Sequence, residues 1–323
     1  MSMWMLSRVA DSLYWMSRYL VRADHVARQL DVHLSVVPEQ GSEAAGRRRG
    51  RLIAALLPEE SPTTEAATDE ALADLLTFNQ ANDDSIVRCV GAARENARQI
   101  REQINSQMWE QINQIHLTVR AASLEQLWEG QPHLFYHGLN QEVYRFYGIA
   151  DARMSRDQGW HFIQLGCHLE RATATAKLLA EEFHALVGRS PGDQYSYLEW
   201  VGLLRSCAAF EAYGKVYTAE VEPRNIAEFL LLNPELPHSV HFAVDRIQRA
   251  LTSIGVATHT GTEARVSRLA GRLHALLAYG QIDEIMEVGL DDFLRDVRQM
   301  CNQIHEAVYL SYVAYPIEER LLA

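Results

Sequence analysis

The sequence predicts an all-α fold, a helical bundle built from two duplicated, related halves packed as one body. Three observations predict it. Apolar residues recur at alternating spacings of four and three, the period of helices that bury one face. No alternating Val/Ile/Thr run followed by a turn marks a hairpin. One helical pattern is also written twice. Leu13, Met16, Leu20, Ala23, Ala27, Leu30 and Leu34 match Phe162, Leu165, Leu169, Ala172, Ala176, Leu179 and Phe183, each pair 149 positions apart, as Arg22 and Arg171 are.

The elements follow in order. Residues 5–37 read as one long helix stopped before Pro38, since the residue before a proline resists the helical conformation. Residues 38–50 read as a loop whose Arg47, Arg48 and Arg49 form a solvated charged face. Residues 51–57 make a short helix, and 58–68, rich in Pro, Thr and Glu, a second loop. The repeat then resumes at an offset of 154, with Phe78-Asn79 and Ser85-Ile86 matching Leu232-Asn233 and Ser239-Val240. Ser85 and Ser239 stand at helix starts, where a hydroxyl accepts an orphan N–H. The helices they open share a second seam, Ile86, Val90, Ala93, Ala97 and Ile100 in one and Val240, Val244, Ile247, Leu251 and Ile254 in the other. The halves, about 1–148 and 149–323, join near Gly148–Arg156 without a linker-like stretch, which predicts one domain over 1–323. Further helices are expected near 194–220, 262–279 and 289–315.

Bulk properties narrow the function. A chain of 323 residues buries a large core, and its 48% hydrophobic content is that of a globular protein. A net charge of -12 disfavours nonspecific nucleic-acid binding, which needs a basic surface. No segment has the ~18 apolar residues of a membrane helix. Arg8, Asp11 and Arg18 interrupt the Met-rich start, so it reads as helix and not as a signal peptide. Cys89, Cys167, Cys207 and Cys301 are scattered, which points to a reducing cytoplasm and no disulfide frame.

The arginines carry what chemistry is visible. Arg22 falls beside the first seam, with Tyr14 and Trp15 on the same helix, so something covers that side. In the second copy His161, Gln164, His168, Arg171 and Thr175 form a polar stripe, and Glu170 precedes Arg171. Arg94, Arg98, Arg101 and Asn105 fall on one helical face, with Trp109 about a turn beyond. Three arginines on one stripe repel unless acids or an anion sit among them. Two readings stay open: ion pairs that hold helices together, or a clamp for carboxylate or phosphate. The candidate anion- or substrate-binding residues are therefore Arg18, Arg22, Arg94, Arg98, Arg101, Trp109, Glu170 and Arg171. No phosphate loop, dinucleotide fingerprint or nucleophile elbow is present, and no cofactor is expected. Glu181–His184, and His133 with His137 and Glu142, have metal-ligand spacing but lack further ligands, so no metal is expected. Arg205, Glu211 and Tyr213 are placed on one helix that either lines a pocket or simply packs.

These residues resemble the bacterial alpha-E family, a helical domain of unknown function named for its Glu-Arg motif. The resemblance rests on Met5-Leu-Ser-Arg8 through Asp31, Arg94-Glu-Asn-Ala-Arg98, Met108-Trp109-Glu110, Gly159-Trp160 through Leu179, and Phe229-Leu-Leu-Leu-Asn233 with Ser239. It covers nearly the whole chain. Two positions depart from the pattern: the first Glu-Arg is Val21-Arg22, and an expected second-copy Arg is Cys167.

The resemblance implies partners. Family members are fused to or encoded beside a circularly permuted ATP-grasp protein, often with a transglutaminase-like protein and a proteasome-like peptidase. It thus implies a non-ATP-binding helical subunit that binds substrate for, or completes the site of, an amide or peptide ligase. A stand-alone amidotransferase or hydrolase centred on Glu170–Arg171 is the second expectation. A structural adaptor in the peptidase system is the third.

Overall fold

The computed structural model describes residues 7–36, 42–58, 67–186, 194–218, 220–258 and 263–313. Among these there is no strand, and no helix is long and apolar enough to cross a membrane. The first half holds α1 (Ser7–Val36), α2 (Ser42–Leu56), α3 (Asp69–Thr77), α4 (Ile86–Gln99), α5 (Ser106–Ala121), α6 (Leu124–Glu129) and α7 (Pro132–Arg153). The second holds α8 (Gln158–Leu186), α9 (Gln194–Ser206), α10 (Phe210–Tyr217), α11 (Pro223–Leu232), α12 (Val240–Thr258), α13 (Glu263–Ala278), α14 (Ile282–Val288) and α15 (Leu290–Val308), followed by a π-helical turn, Tyr309–Val313.

The long helices α1 and α8 pack on each other at the centre. Helices α4 and α7 lie on α1, with α5 spanning them, while α12 and α15 lie on α8, with α13 spanning those. The matched seams build this core: Leu13, Met16, Leu20, Ala23, Ala27 and Leu30 are buried, and so are Phe162, Leu165, Leu169, Ala172, Ala176, Leu179 and Phe183. Ile86 through Ile100 and Val240 through Ile254 bury their seams as well. Because helices surround α1, Tyr14, Arg18 and His25 on its far side are buried too. The cover over that side is this chain itself.

One contact sets the central crossing. Gly166 of α8 lies against the Tyr14 carbonyl so closely that a Cβ there would collide with the backbone. Ser17, the residue matched to Gly166, locks the same crossing from α1. Its Oγ donates to the Ile163 carbonyl at 2.7 Å, and the Tyr147 hydroxyl donates to the Ser17 carbonyl at 3.0 Å.

Four sequence expectations change. The arginine run is helical, within α2, and not a loop. Ala45, Arg48, Leu52 and Ala55 form a buried seam, so Arg48 points inward instead of facing solvent. The arginine stripe is also interrupted, because α4 stops at Gln99. Asn105 opens α5 by accepting the Met108 N–H at 2.9 Å, a local bond that competes with continued helix. The helix expected over 194–220 is two helices, broken where Ala208 takes a φ of 49°. Arg205 thus ends α9, stacked over the Phe210 ring, whereas Glu211 and Tyr213 belong to α10. Finally, Ser239 caps α12 by accepting the Phe242 N–H at 3.0 Å, but the Ser85 hydroxyl makes no cap bond. Within the 58–68 loop, residues 59–66 lie outside the described residues.

Candidate functional site

At the α1–α8 crossing the heptad of α1 stacks Arg18 and Arg22 one turn apart, facing Glu170 of α8. Arg18 Nε donates to Glu170 Oε2 at 2.7 Å, and Arg22 Nε donates to Glu170 Oε1 at 2.6 Å. One carboxylate therefore clasps two guanidiniums, an oxygen to each. Arg22 Nη1 reaches on to Asp84, just before α4. Arg18 lies 4.8 Å from the Trp15 ring centre and donates through Nη1 to the Tyr14 hydroxyl at 3.3 Å. That hydroxyl meets His305 Nδ1 of α15 at 2.8 Å. The network thus runs from α8 through α1 to α15.

Its electrostatics are fixed by burial and pairing. Burial raises the Glu170 pKa, but Arg18 and Arg22 outweigh it and hold the carboxyl down at about 2. Burial, helped by Arg18, lowers His305 to about 4, so its ring is neutral near pH 7. With the imidazole neutral, Tyr14 donates to Nδ1 and accepts from Arg18. Burial pushes the Tyr14 hydroxyl up to about 12, which keeps it protonated.

A cleft of about 780 Å3 opens beside the clasp, between α4 and α5. Arg22, Arg88, His116 and Arg120 supply donors to its wall, Asp83, Asp84 and Glu95 supply acceptors, and Gly91 and Ala92 form a small-residue floor. Burial and the cations Arg94 and Arg120 lower the His116 pKa. Walls of both signs beside an uncluttered helix face suit a ligand that carries both signs and amide groups.

The sequence-derived candidates divide. Arg18, Arg22 and Glu170 come together in the clasp. Arg94 and Arg101 meet elsewhere, their guanidinium carbons 5.5 and 5.4 Å from the Trp109 ring centre across the turn between α4 and α5. Arg94 also donates to Asn113 Oδ1 at 2.7 Å. Arg98 is exposed and pairs with Glu95 at 2.6 Å. Arg171 faces away from the clasp and donates to the Pro237 carbonyl at 3.2 Å. Among the described residues Arg22 lines the cleft beside α4 and Arg171 lines a different, smaller cavity. Among the metal-spaced residues, His184 approaches Asp291 at 3.4 Å and His133 approaches Asp31 at 4.0 Å. Among the described residues no group of three His, Cys, Asp or Glu side chains is placed to hold a metal ion.

Sequence reasoning missed a second buried ionic cluster. Arg48 and Arg51 of α2 both donate to Glu199 Oε2 at 2.6 Å, and Arg51 Nε donates to Glu182 at 3.0 Å. The signal available was the placement of Arg48 on the seam of Ala45, Leu52 and Ala55. It also missed Asp84, whose role depends on the fold of a loop, and the cleft-lining Arg88 and Arg120.

Comparison with known proteins bears on these residues. A family model described as "a predicted alpha-helical domain with a conserved ER motif" matches residues 5–313, nearly the whole chain. Uncharacterized proteins of Mycobacterium bovis and Mycobacterium tuberculosis are similar, each 22% identical over 320 residues that cover 93% of this chain and 35% of theirs. The chain thus spans about a third of the length of these relatives. No solved structure matches it. Within the matched residues the Glu-Arg dipeptide is Glu170-Arg171; the other in the chain, Glu319-Arg320, lies beyond them.

Proposed function

We propose that this chain, which belongs to the Alpha-E family, is a helical subunit that holds a peptidic or carboxylated substrate for an ATP-grasp-type amide ligase. The observation that carries this reading is the mixed-charge cleft beside the clasp. Both Glu170 oxygens are engaged in the clasp, so it serves as a foundation, while Arg88, Arg120 and His116 on the cleft wall meet the ligand. The fact that its relatives hold the matching region within chains about three times as long supports a module that works beside other modules. The lack of a phosphate loop supports a division of labour in which the partner handles ATP. Four buried, unbridged cysteines support a cytoplasmic setting. A transglutaminase-like protein and a proteasome-like peptidase are further partners on this reading.

A stand-alone hydrolase or amidotransferase centred on Glu170 is disfavoured, because a carboxyl held at about 2 by two arginines is a poor proton donor at neutral pH. We also infer that the two helical groups descend from one duplicated unit. Arg22 reaches Asp84, and the matched Arg171 reaches Pro237, beside the residue matched to Asp84.

Affinity capture with an ATP-grasp-type ligase from the same organism tests the functional reading. The expected result is stable co-elution, no ATP hydrolysis by this chain alone, and ligation by the pair. Arg88→Glu with Arg120→Glu should lower ligation and leave capture intact. Failure to co-elute overturns the reading. Full ligation by that double variant overturns the substrate role and leaves a structural adaptor.

A further inference from the structure

The arginines of α4 and α5 do not end at the cleft. Helix α5 buries Met108, Ile112, Ile115 and Val119 against the core, and the flank beside that seam carries Trp109, Asn113, His116 and Arg120. The first three are half-buried and Arg120 is exposed. The cleft takes in His116 and Arg120. The same flank runs on to Trp109, where Arg94 of α4 and Arg101 of the following turn gather on the ring, 5.5 and 5.4 Å from its centre. Helix α4 stays alongside, since Arg94 Nε donates to Asn113 Oδ1 at 2.7 Å. The result is one strip, from Arg120 to Trp109, about 16 Å long by helical rise.

Each acid that lines the cleft has an arginine of its own. Asp84 holds Arg22, Asp83 holds Arg88 at 2.7 Å, and Glu95 holds Arg98 at 2.6 Å. Arg94, Arg101 and Arg120 are left over. Among the described residues no carboxylate lies within ion-pair distance of any of the three, and Glu102 and Glu110, though near in sequence, make no ion pair with them. The ring of Trp109 offsets only part of the repulsion between two guanidiniums. Arg94 is the best placed of the three. Its bond to Asn113 orients the guanidinium, while both Nη atoms are without a partner among the described residues, which is the fork a carboxylate takes. A chain of net charge -12 has thus gathered three unanswered cations on one strip.

The spacing selects the ligand. A single carboxylate cannot reach both ends, whereas an extended peptide of about five or six residues spans about 16–20 Å. Its side-chain carboxylates come at intervals, as these arginines do. A continuous phosphate backbone would instead pass close to Asp83, Asp84 and Glu95, and the Trp109 ring on which a base would stack already carries two guanidiniums. Resting on the reading of the cleft as a substrate-holding site, we propose that the α4–α5 strip binds an acidic peptide, with one side-chain carboxylate on Arg94 and Arg101 and another on Arg120. The substrate class is thereby narrowed from peptidic or carboxylated to a peptide bearing several carboxylates.

Fluorescence anisotropy of labelled hexaglutamate titrated with the full chain tests this. Hexaglutamate should bind, and unlabelled hexaglutamate should compete while hexaglutamine does not. Arg94→Gln combined with Arg101→Gln should weaken binding by at least about tenfold, and Arg120→Gln by about threefold or more. Arg101 and Arg120 are exposed, so their single variants report on binding even if the combined variant folds poorly. Arg295→Gln removes the same charge from an exposed position on α15 and should change affinity by less than about twofold. Diglutamate, too short to reach both ends, should compete at least about tenfold more weakly. No binding of hexaglutamate overturns the proposal. Equal losses in Arg295→Gln and the strip variants overturn it in favour of net charge, and tighter binding of oligothymidylate overturns it in favour of single-stranded nucleic acid. Equal competition by diglutamate overturns the two-ended placement. No ligase takes part, so a negative result here is distinct from failure to co-elute with one.

Discussion

Arg22 and Arg171 occupy the same place in the two matching stretches, yet one is closed in by acids and the other is not. Arg22 shares Glu170 with Arg18 and reaches Asp84. Arg171 has one carbonyl and an idle Nε. The arginines do not differ; their neighbours do. Glu170 is matched by Val21, Arg18 by Cys167 and Asp84 by His238. A matched position in the sequence therefore does not carry a matched role, because what an arginine does is set by what the facing helix presents.

The comparison can be broken hardest at Glu170. Glu170→Ala leaves two guanidiniums at the crossing without their shared acceptor, and urea unfolding should show a loss of about 3–5 kcal/mol. Acid should dismantle the same region more gradually. Glu170 titrates at about 2 in the fold against an ordinary 4.5, so its contribution is complete above about pH 4.5 and is lost as pH falls towards 2. His305, lowered from 6.5 to about 4, adds stability that is present above pH 6.5 and lost as pH falls through 4. Unfolding free energy should therefore decline from pH 6.5 downward, and Glu170→Gln should remove the part of the decline below about pH 4.5.

Next in size is the asymmetry itself. Arg22→Ala should cost about 1–3 kcal/mol, since it strips a hydrogen-bonded partner from two acids. Arg171→Ala should cost under about 1 kcal/mol, because it releases only one carbonyl. Equal losses in the two variants would erase the distinction. The smallest effect is expected at Arg98, whose exposed pair with Glu95 should leave Tm unchanged when Arg98→Ala is made.

Much of the fold was legible because seams are local. Leu13 through Leu30 and Val240 through Ile254 announce their buried faces by spacing alone, and each is buried. The site was legible only as a list. Arg18 and Glu170 are 152 positions apart, and nothing within either helix says that they touch. That contact requires the α1–α8 crossing. The Arg48 error has a related cause: composition makes a run of arginines look solvated, whereas its seam shows that one of them is not. The broken stripe at Gln99 failed for a local reason, since Asn105 carries a capping side chain that was counted as helix surface.

Gly166 gives the crossing a further consequence. It sits one turn before Glu170, as Tyr14 sits one turn before Arg18, so a single missing side chain fixes how far apart the two helical groups stand where the clasp closes. The clasp is then a gauge of that separation. Any added bulk at 166 would be registered by Arg18, Arg22 and, through Asp84, the cleft, without touching any of them. A partner that pries the two groups apart or presses them together would be felt in the cleft by the same route.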